Sequence, residues 1–169
     1  MARVSVTERF QFKSCRRSWH LNYRQGLRAQ RRAHYFVIGS AMHESLEAIY
    51  KGRLIGKPID ITAAHNILTT SFNREFRRIE HPTPEDRQLY ADLSGLAHGI
   101  LDHYLDFYDG QDWGAGLPEV EIVAVEKKMT VTVPGTRQVL TGKVDLLLRI
   151  NRKLWVVDHK LVSSFTGDQ

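Results

Sequence analysis

Gly142-Lys143-Val144-Asp145 is followed, twelve residues on, by Asp158-His159-Lys160. Two carboxylates and an ammonium at this spacing are the ingredients of a divalent-metal site that cuts phosphodiester bonds. The β-prone runs Val139 to Ile150 and Leu154 to Asp158 flank a turn at Asn151-Arg152. An antiparallel hairpin with Ile150 facing Lys153 sets Asp145 directly opposite Asp158, with Cβ atoms about 5 Å apart. Like charges that close destabilise a sheet. A shared cation removes the conflict, because Mg2+ favours one or two carboxylates completed by waters and phosphate oxygens. Lys160 projects from the same face of its strand as Asp158. The His159 side chain points away, leaving its backbone carbonyl to reach an ion. The competing reading makes both acids solvated strand residues, with Lys160 pairing one of them. Against it, carboxylates are disfavoured in strands, and these sit among Val144, Leu146, Leu147, Leu148, Val156 and Val157. Leu154-Trp155-Val156-Val157 is apolar on both faces, which predicts a strand buried in the middle of a sheet.

The elements that must carry these residues change character along the chain. Ser5-Val6-Thr7-Glu8 is a capping-box pattern opening a short helix. Basic and aromatic residues follow to about Arg32. Tyr35 to Ile38 is a brief apolar stretch closed by Gly39, after which Ser40 is expected to cap a second helix with Met42, Leu46, Ile49 and Tyr50 buried. A turn is expected over Gly52 to Pro58, and a third helix from Thr62 carries Ile67, Leu68, Phe72 and Phe76. Thr83-Pro84-Glu85-Asp86 joins a cap, a first-turn proline and early acids. It opens the most strongly periodic helix, with Leu89, Leu93, Leu96, Ile100, Leu101 and Tyr104 on one face and an end near Asp109-Gly110. His98 and His103, five apart on it, read as structural. After a loop over Gly110 to Pro118 the period shifts to two. Strands are expected at Val120 to Glu126 and Met129 to Val133, then a turn at Pro134-Gly135 and the hairpin. The expectation is a single α/β (α+β) domain over 1–169, helical and basic over 1–110, with a catalytic β-meander over 119–160.

Length and composition agree with one domain. The chain has 169 residues, 42% hydrophobic and 25% charged, enough for a real core. No apolar run approaches the roughly 20 residues of a membrane span, and no N-terminal apolar stretch resembles a secretory signal. A single cysteine, Cys15, makes no internal disulfide, so a reducing cytoplasm is the expected setting, with Cys15 packed among helices. The formal charge of +5 is uneven: residues 1–32 hold nine Lys or Arg and one acid, +8 against −3 for the remainder. Arg16, Arg17, Arg24, Arg28, Arg31 and Arg32, interleaved with Phe10, Phe12, Trp19 and Tyr23, suit a polyanion. A solvated basic face is the plainer alternative.

Gly39-Ser40-Ala41-Met42-His43-Glu44-Ser45-Leu46-Glu47 resembles the G-[ST]-x-x-H-x-x-L-E segment of RecB-like nucleases in the PD-(D/E)XK superfamily, a group that includes CRISPR adaptation nucleases. G-x-V-D at 142–145 and D-x-K at 158–160 match that family's other core motifs. Ser14 to Trp19 resembles its N-terminal cysteine–arginine–aromatic segment. Together the motifs span residues 5–160. The resemblance implies a restriction-endonuclease-like core, with N-terminal helices packed on a mainly antiparallel mixed sheet. It implies His43 as a helix-borne metal ligand through a neutral imidazole nitrogen, with Asp145, Asp158 and the His159 carbonyl completing the set. It makes Lys160 the group that orients the attacking water and stabilises charge. Mg2+ or Mn2+ fits a mostly oxygen site with one imidazole, whereas zinc wants more His or Cys. By itself His43 also reads as a capping or packing residue. Glu47, one turn on, is a candidate partner for His43, and Glu126 a candidate accessory ligand.

Three features depart from the family pattern. Members with an iron–sulfur cluster use four cysteines, and one cysteine implies no such cluster here. Leu161 stands where threonine usually follows the lysine. The family's later Gln-x-x-x-Tyr helix has no counterpart in the nine residues after Lys160, so the core is expected to be truncated at its C-terminus. The resulting expectation is a metal-dependent deoxyribonuclease, preferentially an exonuclease, in recombination, repair, phage DNA processing or CRISPR adaptation. Its partners would be DNA and either other subunits of such machinery or further copies of the chain, with no membrane. A catalytically silent nuclease-like DNA-binding or assembly module is the second reading. A basic helical scaffold for an acidic protein is the third.

Overall fold

A computed structural model of the chain describes residues 3–27, 31–57, 60–109 and 120–162. Arg28, Pro58, the loop expected over 110–118 and the stretch after 162 lie outside the described residues. A three-residue strand, β1 (Arg3–Ser5), leads into α1 (Val6–Ser14), α2 (Arg16–Trp19) and a π-helical turn (His20–Arg24). Three longer helices follow: α3 (His34–Leu54), α4 (Ile61–Phe76) and α5 (Pro84–Asp109). The sheet closes the order with β2 (Val120–Thr132), β3 (Val139–Ile150) and β4 (Lys153–Val157). The result is the expected mixed α/β architecture with a mostly antiparallel sheet.

Local chemistry sets most helix starts. Ser5 caps α1 by accepting the Glu8 N–H at 3.0 Å. Asp60 caps α4 through the Ala63 N–H. At α5, Thr83 Oγ1 accepts the Asp86 N–H at 3.2 Å while Asp86 accepts the Thr83 N–H at 3.0 Å, a reciprocal pair. The break before α3 moves, however. Gly39 does not end a stretch and Ser40 does not cap; α3 runs unbroken from His34. Val37 and Ile38 fall one turn before Ala41 and Met42, and all four are buried, so packing outweighs the roughly 1 kcal/mol that an internal glycine costs. Ser40 accepts a hydrogen bond from Arg32 instead.

The core lies between α3, α4, α5 and the sheet: Val37, Ala41, Ala64, Leu68, Ala97 and Leu101 are fully enclosed, with Leu146 and Leu148 of β3 beneath them. Small residues let α3 and α4 approach closely, and the buried Ser45 hydroxyl donates to the Ala64 carbonyl at 3.1 Å. Between α4 and α5, His98 meets His65 (Nδ1···Nδ1 2.5 Å) and Thr69, and His65 reaches Asp102 at 2.8 Å. Burial first, then the neighbouring His65, holds the His98 imidazole below its ordinary pKa. These contacts join α4 to α5.

β3 is the centre of the sheet. β2 pairs along its whole length, antiparallel, while β1 (parallel, at 139–141) and β4 (antiparallel, at 146–150) share its other side. Between them, residues 142–145 of β3 face a fork with no strand partner on that side among the described residues. The β3–β4 register is the one read from the hairpin: Ile150 faces Lys153 and Leu146 faces Val157. Two strand expectations need correcting. β2 is one thirteen-residue strand rather than two, irregular between Ile122 and Ala124 and left-handed at Glu126 (φ 51°). Among the described residues β4 is not enclosed in the sheet; it pairs with β3 alone, and Leu154, Trp155 and Val156 are exposed. Cys15, expected among packed helices, is exposed in the extended link between α1 and α2, where its Sγ accepts the Ser18 N–H.

Candidate metal centre

Asp145 is the point on which the neighbouring elements converge. It lies in the fork of β3, one residue past the last β3–β4 pair, which brings Asp158 to its side. On the other side Val125 pairs with Leu146 and Lys127 with Val144, so Glu126 falls opposite Asp145. Three acids thus stand in a row across β2, β3 and the exit of β4. From above, α3 delivers His43, whose Nδ1 is 3.4 Å from Asp145 Oδ2. Ligand atoms of His43, Glu126 and Asp145 all lie within 4.8 Å of one another.

The two inner acids are withdrawn from water. The Glu126 side chain is 8% exposed and that of Asp145 13%, against 54% for Asp158. Lys143 forms an ion pair with Glu126, and that contact raises the Lys143 pKa. Backbone in the left-handed region costs a non-glycine residue about 1–3 kcal/mol, and at Glu126 it aims a carboxylate into this cluster. Asp158 pairs with Lys160 at 2.5 Å. The ammonium hydrogen bond holds the Asp158 carboxyl below its usual value, with a smaller contribution from contact with Asp145. The same bond raises Lys160, which stays an ammonium.

The His159 side chain does not point away as expected: its Nδ1 lies 3.8 Å from Asp145 Oδ2 and its ring centroid 6.3 Å from that of His43. The His159 backbone N–H donates to Asp145 Oδ2 at 2.8 Å. Its ring stacks on Tyr50 of α3 (5.7 Å between centroids) and its Nε2 meets Tyr104 Oη of α5 at 3.2 Å. Tyr104 Oη in turn lies 2.5 Å from Tyr50 Oη. Burial lowers the His159 pKa and raises that of Tyr104. A ring clamped by two helices therefore fixes the segment bearing Asp158 and Lys160, and its N–H orients Asp145.

The other residues singled out from the sequence separate into two groups. Glu47 pairs with Lys51 rather than with His43. Arg31 pairs with Asp86 at 2.8 Å and Arg32 with the buried Glu75 at 3.3 Å, so both tether the entry to α3. Arg16, Arg17 and Arg24 are exposed; Arg16 lies over the Phe12 ring and Arg24 over Trp19. The sequence undervalued Glu126. Its place beside Asp145 comes from the long-range β2–β3 pairing, which no local pattern displays.

A row of acids with one imidazole suits a hard divalent cation of the Mg2+ or Mn2+ kind. Two sheltered carboxylates this close need positive counterparts, and Lys143 supplies one at Glu126. The residues fit such a cation. No curated protein matches the chain. The family model described as the PD-(D/E)XK nuclease superfamily matches residues 3–167.

Proposed function

The chain belongs to the PD-(D/E)XK nuclease superfamily, and from that premise we propose that it is a Mg2+- or Mn2+-dependent deoxyribonuclease of the RecB-like branch, acting from DNA ends. The carrying observation is the convergence of His43, Glu126 and Asp145 beside the Asp158–Lys160 pair. His43, Asp145, Asp158 and the His159 carbonyl would hold the cation, with Glu126 as the accessory carboxylate. When bound, the cation supplies Lewis-acid stabilisation of charge on the phosphoryl oxygens. In the reaction a water oxygen bonds to phosphorus as the bond to one ester oxygen breaks. The water releases a proton to solvent and the departing alkoxide takes one up from solvent, leaving a phosphate monoester and a free hydroxyl. Lys160, kept cationic by Asp158, faces the charge that builds on phosphorus and orients the water. The exposed arginines Arg16, Arg17 and Arg24 would hold flanking phosphates. No helix among the described residues is long and apolar enough to cross a membrane. The proposed setting is cytoplasmic recombination, repair, phage or CRISPR DNA processing.

One observation favours a second reading, a silent DNA-binding module: Asp158 is turned to Lys160 and stands outside the three-residue group. Incubating labelled linear and circular DNA with Mn2+ or chelator, beside Asp158→Ala, separates the two. The nuclease reading predicts metal-dependent loss of linear DNA, sparing of circles, and a rate reduced by about 10²–10³ in the variant. DNA binding without hydrolysis under any divalent cation would establish the silent module instead.

A further inference from the structure

The partner of His98 is not His103 on its own helix but His65 on α4, Nδ1 to Nδ1 at 2.5 Å. The two helices run antiparallel here: His65 lies against Asp102, Thr69 against His98, and Phe76, further along α4, against Tyr90. Residues one turn apart on each helix thus form a four-residue patch, half-buried at its histidines. A carboxylate only accepts, so His65 Nε2, 2.8 Å from Asp102 Oδ1, carries a hydrogen. A neutral His65 therefore turns a bare lone pair at Nδ1 toward His98. Thr69 Oγ1, 3.2 Å from His98 Nε2, can donate or accept. In one neutral tautomer His98 donates from Nδ1 to His65 and accepts the Thr69 hydroxyl at Nε2. In the other it donates from Nε2 to Thr69, and two lone pairs converge on one point. That second arrangement needs a cation between the rings.

We infer that His65 and His98 form a transition-metal site through their Nδ1 atoms, for an ion of the Zn2+, Cu2+ or Ni2+ class, bridging α4 and α5. Imidazole nitrogens suit these ions, whereas carboxylates and waters suit the Mg2+ or Mn2+ expected at the acid row. A tetrahedral ion with bonds of about 2.0–2.1 Å fits once the two nitrogens part by about 1 Å. The far side of each ring is held in the manner of metal-bound histidines, His65 by a carboxylate and His98 by a hydroxyl. Burial, then the neighbouring His65, lowers the His98 pKa, so the ring is neutral and able to bind at pH 7. Binding moves the His98 proton from Nδ1 to Nε2 and releases none. Two protein ligands leave the remaining positions to water. The acid row takes no ligand from α4 or α5, so the inference does not depend on the nuclease reading.

Zinc calorimetry in excess Mg2+, on the full chain carrying Asp145→Asn to weaken the acid centre, reads this site. One Zn2+ should bind per chain, and Tm should rise by about 5 °C or more at a hundredfold excess over Kd. His98→Gln should abolish both effects. Asp102→Asn should weaken binding about tenfold, because the group that holds His65 loses its charge. Circular dichroism melts in EDTA check that each variant folds, and His65→Gln replaces His98→Gln should the latter not fold. Crystals measured at the zinc absorption edge should place the ion between the two Nδ1 atoms. Absence of zinc binding, affinity unchanged in His98→Gln, or an anomalous peak away from both rings would overturn the inference.

Discussion

Asp145→Asn is expected to lower Mn2+-dependent DNA cleavage by about three orders of magnitude, with little change in melting temperature. Asparagine is nearly isosteric and keeps an oxygen to accept the His159 N–H, now 2.8 Å from Asp145 Oδ2. It removes the central negative charge, the one on which His43, Glu126 and Asp158 converge. Losing a single preorganised stabilising group commonly costs 10²–10³ in rate, and here weaker cation binding adds to that loss. The fold should tolerate the change, because the substitution relieves repulsion within the acid row. Turnover measured at saturating and subsaturating Mn2+, together with calorimetric Mn2+ titration, tests both halves. A variant that still cleaves within about tenfold of wild type would remove Asp145 from the chemistry. A variant that unfolds would mean that its role is structural.

Leu101→Ala is expected to destabilise the protein by about 3 kcal/mol, in the usual range for emptying a buried leucine site. Leu101 is 0% exposed at the middle of α5 and belongs to the same packed cluster as Leu68, Ala97 and Leu146. For a chain of this size such a loss lowers Tm by about 10 °C. The effect should reach the site, because Tyr104, one turn further along α5, holds the His159 ring. Thermal melts read the first effect. Cleavage rates measured well below the melting range read the second, where a modest loss is expected. A Tm within about 2 °C of wild type would show that α5 does not anchor this core.

The features legible in the sequence were those set by local rules. The β3–β4 register follows from a short turn between two apolar runs, and with it the approach of Asp145 and Asp158. The starts of α1 and α5 follow from side chains three residues apart that satisfy each other's backbone. What escaped depends on partners far along the chain. β1 is three residues long and gains its strand character from pairing with 139–141, more than a hundred residues away. The continuity of α3 through Gly39 comes from the core it meets. The exposure of β4 cannot be read from its composition, because an apolar run looks alike whether one edge or both are covered. Glu126 was undervalued for a similar reason: its place beside Asp145 exists only in the β2–β3 pairing, and its left-handed backbone would have argued against a strand there. Sequence reasoning gave His159 only a backbone carbonyl for an ion; the N–H that it donates to Asp145 and its clamp between Tyr50 and Tyr104 needed the fold in place.

Crystals grown with Mn2+ and measured at the manganese absorption edge offer the sharpest test of cation convergence. The anomalous peak should lie at about 2 Å from the ligand atoms of His43, Asp145 and Asp158, with the His159 carbonyl beside it and Lys160 within reach of a phosphate placed there. A peak elsewhere in the molecule, or none at full Mn2+ loading with those side chains spread beyond a common coordination sphere, would contradict it.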